Sequence, residues 1–410
     1  MKVLVICAQI PYPLTNGGSL IIYNLFKKLA LKHKIYLLAF QKNSEDAANI
    51  KYLDDIFEDV YLIESRAFKR SFFRYVKNVI SWKTGFLMKE QCPETYIEFK
   101  EKITELILSN GIDLIHCMPI SMAEFVTDIP GCVKVLHLVD SMTLELEREL
   151  NIQDSLIRKL QKIPQCIWYY RIKGYEKRIM NYFDMNITVA KKDYEVLKSL
   201  APNANIALIP NGVNTDYFHP YPKGSSKYPI LLFSGNMSYS PNIDAVLYYY
   251  QSIFPRVRAK IPDIHLYIVG TSPSDDIQRL SEDKNVTVTG YVDDIRAFIA
   301  IADIIICPMR KGVGIKNKIL EAMASGKSII TTSLGAEGVD VTHDENILIA
   351  DTPDEFVNST LRLLTEEALR DRISDNAIKL IKEKYTWDIC SNQYEQLCEN
   401  LRHNHQARSQ

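Results

Sequence analysis

The stretch GVGIKNKILEAMASG, from Gly312 to Gly326, sets two glycines and two lysines just ahead of an apolar stripe, with one glutamate beside it. Read as a helix starting near Gly314, it puts Ile315, Ile319, Ala322 and Met323 on one face. Asn317, Lys318 and Glu321 then share the opposite face. The first turn of a helix offers unpaired N–H groups and a partial positive charge, which favour a phosphate. Gly312 and Gly314 allow close backbone approach, and Lys316 and Lys318 add charge. Glu321, further along, would accept hydrogen bonds from sugar hydroxyls. The pattern suits a nucleoside diphosphate, with phosphates at the helix start and ribose near Glu321. The plainer alternative is a helix with a solvated polar face. Two other phosphate motifs do not fit. GVGIKN lacks the third glycine of GxGxxG, and SGKS at 325–328 lacks the leading glycine of a P-loop and precedes a strand. Gly326 reads as the end of the helix.

Other loops carry weaker signals. In PYPLTNGGSLIIYNLF, Gly17 and Gly18 stand at a helix start, suited to close approach or merely to a tight turn. In LLFSGNMSYSPNIDAV, Ser240 and Pro241 suit the N-cap and first helical positions, so Gly235 and Asn236 would line the cleft. TSLGAEGV places Glu337 between glycines. His116 ends the run DLIH and Asp140 follows KVLHLV, so both are expected at the carboxyl ends of strands. A lone histidine is as often structural as catalytic, and His137, deeper in its run, reads as core. Arg66 to Lys89 holds seven basic residues and no acid, with aromatics interleaved. It fits either contact with an anionic membrane surface or a solvated helix pair.

These residues need a frame. Short apolar runs alternate with amphipathic segments: KVLVICA, KIYLLAF, GIDLIHCM, CVKVLHLV, DMNITVA and NIALIPNGV, then YPILLFSG, HLYIVG, NVTVTG, ADIIICPM and KSIITTS. Continuous apolar strands between helices imply parallel sheets covered on both faces. Two series imply two α/β, doubly wound, Rossmann-like domains. The expected division is 1–213, a linker over 214–227, and 228–385, with a final helix over 386–410 packing back on the first domain. In such sheets ligands sit beyond the carboxyl ends of the strands, and two facing domains would form one cleft.

Composition narrows the partners. The chain has 410 residues, 47% hydrophobic and 24% charged, with net charge −1. That balance gives no reason to expect nucleic acid. Its eight cysteines form no CxxC pair and no zinc spacing with histidine, so free thiols in a reducing, cytoplasmic setting are expected. MKVLVICAQIPYPL reads as a first buried strand rather than a signal peptide. No apolar run reaches the roughly 18–20 residues that span a bilayer. A peripheral place at the inner membrane face is the expectation attached to 66–89. No D-x-D occurs, so no carboxylate pair bridging a metal to a diphosphate is evident.

The ordered set of motifs resembles the retaining glycosyltransferases of family 4, which have the GT-B fold. The resemblance runs over nearly the whole chain, through PYPLTNGGSLIIYNL, DLIHCMPISMAEF, IPNGVNTDYFHP, FSGNMSYSPNIDAV, VTVTGYVDDIRAFIAIADIIICPM, GVGIKNKILEAMASGKSIITTSLGAEGV and YTWDICSNQYEQL. The subgroup it looks like builds exopolysaccharide and related surface glycans. The resemblance implies transfer of a sugar from a nucleoside diphosphate sugar to a glycan or lipid-linked acceptor, with retained configuration and neither cofactor nor metal. It implies that Glu321 binds the ribose and that Lys316 and Lys318 neutralise the diphosphate. Gly290, Tyr291 and Val292 would contact the base, and Gly17 and Gly18 the phosphates. Gly235, Asn236, Gly314 and Glu337 complete the expected donor set. His116 and Asp140 join the lysines as catalytic candidates. The sequence departs from many relatives in three places. Val313 stands where a first glutamate is common. NMSYSPN replaces a loop that often carries Arg and Lys, which turns attention to Arg310. His116-Cys117-Met118 replaces His-x-His. A sugar-nucleotide epimerase on the same fold and a non-catalytic nucleotide- or glycan-binding partner are the alternative readings.

Overall fold

The computed structural model describes residues 1–14, 16–64, 89, 92–151, 163–222, 224 and 226–409. The basic stretch 66–89 lies outside them except for Lys89, whose ammonium pairs with Glu124. The chain divides into two units, Met1–Pro210 with Cys390–Gln410, and Asn211–Ile389.

The first unit is built on seven strands: β1 (Lys2–Cys7), β2 (Lys34–Gln41), β3 (Asp59–Glu64), β4 (Leu114–Met118), β5 (Val133–Val139), β6 (Met185–Thr188) and β7 (Ile206–Leu208). They lie side by side in the order β3-β2-β1-β4-β5-β6-β7, and every pairing is parallel. All five residues of β4 are buried, which explains the unbroken apolar run: a strand covered on both faces has no solvent side to alternate with. β3 is an edge strand with exposed acidic ends, DVYLIE, and its weak apolar run escaped the pattern.

The second unit has six strands: β8 (Ile230–Ser234), β9 (His265–Val269), β10 (Val286–Gly290), β11 (Ile304–Cys307), β12 (Ser328–Thr331) and β13 (Leu348–Ile349). Their order is β10-β9-β8-β11-β12-β13, again all parallel. The two-residue β13 is too short to show any periodicity. The strand order reverses direction between β8 and β11, and the loops leaving such a switch point diverge to leave a ligand crevice. Residues 235–239 and 308–316 are those loops.

Residues 214–222, expected as linker, belong to the second unit. The Arg296 guanidinium lies 4.0 Å from the Tyr217 ring centre, grips Asp294 through Nε and Nη2 at 2.8 and 2.7 Å, and donates to the Tyr221 hydroxyl at 3.1 Å. The last helix, Trp387–Ser409, crosses the division between the units. Its Tyr394 and Cys398 are buried in the first unit's core, and Glu395 binds Lys32 and His33, each at 2.8 Å. Among the described residues, no helix is long and apolar enough to cross a membrane.

Candidate functional site

The helix expected from Gly314 begins at Asn317 and ends at Ala324. Gly312 and Gly314 have φ of 104° and 67°, in the left-handed region where a helix cannot propagate. Lys316 is the N-cap, and its ammonium turns back to donate to the carbonyls of Val313 and Gly314 at 2.9 and 2.8 Å. One lysine expected at the phosphates therefore also shapes its own loop. The apolar face is as the spacing requires: Ile319, Leu320, Ala322 and Met323 are buried, which holds the polar face outward. The helix closes on Gly326 at φ 66°, with Gly326 N–H donating to Met323 and Lys327 N–H to Ala322. That paired arrangement is the glycine-ended stop expected from the sequence.

Lys318 is the half-buried cation at the switch point. Its ammonium sits 3.9 Å from the Phe233 ring centre and donates to Asn242 Oδ1 at 2.8 Å. It forms no ion pair among the described residues. Burial pushes it down to about 8. One turn on, burial pushes half-buried Glu321 up to about 7, while Lys318 pulls the other way. Gly235, at φ 152°, faces the same group, and a Cβ there would lie 2.7 Å from Asn242 Nδ2 and 2.9 Å from Lys318 Nζ. Asn236 contributes its carbonyl, which accepts from Asn242 Nδ2 at 2.9 Å. The loops after β8 and β11 thus meet around one ammonium.

The other donor-side expectations are placed in different ways. Arg310 gives its guanidinium to Asp244, at 3.1 Å from Nε and 3.0 Å from Nη2, and lies over the Tyr248 ring at 4.1 Å. Lys311 reaches the same carboxylate at 3.0 Å. The charge of Arg310 is largely spent within the protein, and charge at the site rests on Lys318 and Lys316. Gly290 closes β10 at φ 69°, followed by exposed Tyr291 and half-buried Val292. Glu337 is half-buried in the turn after β12. The helix expected to be capped by Ser240 has Tyr239 as N-cap, with Ser240 and Pro241 inside it.

In the first unit, Gly17 and Gly18 open the helix Gly17–Leu29, whose N-cap Asn16 accepts from Ser19 N–H at 2.9 Å. A Cβ on Gly18 would approach Met118 Cε to 3.2 Å, so the start of this helix packs against the end of β4. His116 is not at the end of its strand, because β4 continues through Met118. It is wholly buried, with Nδ1 2.7 Å from the Tyr394 hydroxyl and its ring edge-on to Phe26 and His137. Burial, with His137 beside it, holds it well below its ordinary pKa. His137 is core, as expected, and is pushed down to about 4. Asp140 does follow its strand, after Val139 at φ 66°. The helix after it, Met142–Asn151, is capped by buried Glu176, which accepts from Met142 N–H at 2.8 Å and Thr143 N–H at 3.1 Å.

Asn242, Asp244 and Phe233 were not singled out in the sequence. Asn242 stands inside the SPNIDA motif, but Lys318 is 76 residues away, and no periodicity reports a contact at that separation.

Two doubly wound parallel-sheet domains in one chain are the architecture of the GT-B fold, which the solved structures named below share. Residues 228–366 match the family described as Glycosyl transferases group 1, and form such a domain. An uncharacterized 44.6 kDa protein in the cps region of Klebsiella pneumoniae is 22% identical over 399 residues, covering 94% of this chain and 96% of that protein. The lipopolysaccharide 1,2-N-acetylglucosaminetransferase of Salmonella typhimurium is 22% identical over 306 residues, 66% of this chain and 78% of that one. Among solved structures, the sucrose-phosphate synthase of Thermosynechococcus elongatus superposes with a TM-score of 0.73 at 16% identity, covering 98% of this chain and 99% of that one. Anabaena HepE in complex with UDP and glucose gives 0.66 at 14% identity, covering 97% and 99%.

Proposed function

We propose that this protein transfers a sugar from a nucleoside diphosphate sugar to a glycan or lipid-linked acceptor, in surface polysaccharide synthesis and with retention of configuration. The observation that carries the reading is the Lys318 ammonium at the β8–β11 switch point, half-buried and in direct contact with the neutral Asn242 and Phe233, while Glu321 acts on it through space without an ion pair. A buried cation without a paired carboxylate is costly unless an anion binds there. A diphosphate is that anion, and Glu321, one turn along, accepts from ribose hydroxyls. The Klebsiella and Salmonella relatives support the polysaccharide setting, and HepE with UDP supports the donor class.

The chemistry asked of the protein is modest. The acceptor hydroxyl attacks the anomeric carbon on the face the diphosphate leaves. The bond from that carbon to the phosphate oxygen breaks, and a departing phosphate oxygen takes the hydroxyl proton. Lys318 stabilises the negative charge that grows on the diphosphate, while the protein fixes orientation. This route uses side-chain cations in place of a metal.

The test is product analysis after incubating the full chain with UDP-, GDP-, ADP- and dTDP-sugars, without acceptor. Slow release of free nucleoside diphosphate together with free sugar is expected from at least one donor, lost about 100-fold in Lys318→Ala. An isomerised sugar nucleotide with no free diphosphate would instead make the protein an epimerase. No turnover of any donor, with or without glycan acceptors, would overturn the proposal.

A further inference from the structure

Two residues two positions apart on the Ser240–Tyr248 helix treat their cations in opposite ways. Asp244 is a carboxylate, and it takes both Arg310 and Lys311. Asn242 is neutral, and it takes Lys318 through Oδ1 at 2.8 Å. A carboxylate cancels the charge it binds, whereas an amide oxygen orients an ammonium and leaves its charge in place.

The Asn242 amide has one workable orientation. Its Nδ2 donates to the Asn236 carbonyl at 2.9 Å, so Oδ1 must face Lys318. A flipped amide would set an N–H group against the ammonium and an oxygen against a carbonyl. Asn242 is itself buried at 7% exposure, and the Phe233 ring closes the other side of the ammonium at 3.9 Å. The open position at Gly235 is part of the same packing, since a Cβ there would strike both Asn242 Nδ2 and Lys318 Nζ. An ammonium has three N–H donors. One is committed to Asn242, and the Phe233 face accepts none of the others as a conventional hydrogen bond, which leaves donors for a ligand.

We infer that Asn242 is a positioning residue: its amide, locked by the Asn236 carbonyl, aims the Lys318 ammonium at a diphosphate while leaving the charge uncancelled. This rests on the proposed donor site. It also accounts for how a loop reading NMSYSPN, with neither Arg nor Lys, serves that site: the loop brings a cation in from the β11 side and supplies a neutral holder for it.

The test is the affinity of the full chain for UDP, GDP, ADP and dTDP from pH 6.5 to 9.5, for wild type, Asn242→Ala, Asn242→Asp and Lys318→Ala. For the tightest of the four nucleotides, Asn242→Ala is expected to bind about tenfold more weakly at pH 7. Glu321, Lys316 and the Cys307 thiol also act on this ammonium and are the same in every variant, so the alkaline loss of binding, which follows deprotonation of Lys318, should move to lower pH in Asn242→Ala because the charged form has lost its acceptor. Asn242→Asp keeps the shape and adds a carboxylate, so it should move the same loss to higher pH while still weakening binding at pH 7. Should Asn242→Ala fail to fold, the near-isosteric Asn242→Asp decides the matter alone. Wild-type affinity and an unmoved alkaline limb in the folded variants, with Lys318→Ala weakened, would overturn the positioning role only. Wild-type affinity in Lys318→Ala would overturn the donor site on which it stands.

Discussion

Lys318 and Glu321 are ionisable groups placed where ionisation is costly, and the signs of their shifts make a linked prediction. Burial raises Glu321 from its ordinary value of 4.5 to about 7. Its charged form is therefore penalised in the folded state. The penalty is absent below pH 4.5, grows between 4.5 and about 7, and is complete above that. Lys318 is lowered from 10.5 to about 8, so its penalty is complete below pH 8 and fades as pH rises toward 10.5. At neutral pH both charges burden the empty protein, and nucleotide binding relieves the lysine. Glu321→Gln removes the acidic part alone. Urea unfolding at pH 5 and pH 8 should show wild type losing stability across this range relative to Glu321→Gln, by about 1–3 kcal/mol. Parallel behaviour of the two proteins would show that Glu321 does not carry the burial described.

At the scale of elements, the site depends on how closely two loops approach. Gly270, after β9, has φ 150°, and a Cβ there would lie 1.7 Å from the Gly235 carbonyl oxygen. The backbone after β8 can only reach its place beside Lys318 if residue 270 has no side chain. Gly270→Ala must push that loop away. We expect a stability loss of about 3 kcal/mol or more in chemical unfolding, together with weaker nucleotide binding. A stable variant with intact binding would show that the loop can shift freely. Much of this layer is legible in the sequence. The strands on both sides of the switch point were visible as apolar runs, because β8 and β11 are buried over their whole length. The glycine end of the 317–324 helix was visible because its geometry demands a residue tolerant of positive φ. Its start was placed three residues early, because the spacing of apolar residues continues back through Ile315, while the backbone does not become helical until the two left-handed glycines are passed. His116 was placed at a strand end for a similar reason: DLIH and LIHCM are equally apolar, and only pairing with β1 and β5 shows that the strand runs on.

For the whole molecule, the pattern of alternation carries more information than any residue-by-residue likeness. A TM-score of 0.73 at 16% identity means that the order of strands, helices and switch points persists where most side chains do not. That is why two α/β domains could be read from the sequence, and why the holder of Lys318 could not. Asn242 acts across 76 residues of chain, through an amide orientation that only the assembled loops impose. Near Lys318 in the chain, Arg310 and Lys311 are both paired with Asp244. The central claim is that Lys318, which forms no ion pair among the described residues, holds a nucleoside diphosphate. Calorimetric titration of the full chain with UDP, GDP, ADP and dTDP at pH 7 tests it most directly, with wild type and Lys318→Ala side by side. The account predicts binding of at least one nucleotide by wild type, weakened about 30-fold or more in Lys318→Ala. Equal affinity in the two proteins, or no binding of any of the four by wild type, would contradict it.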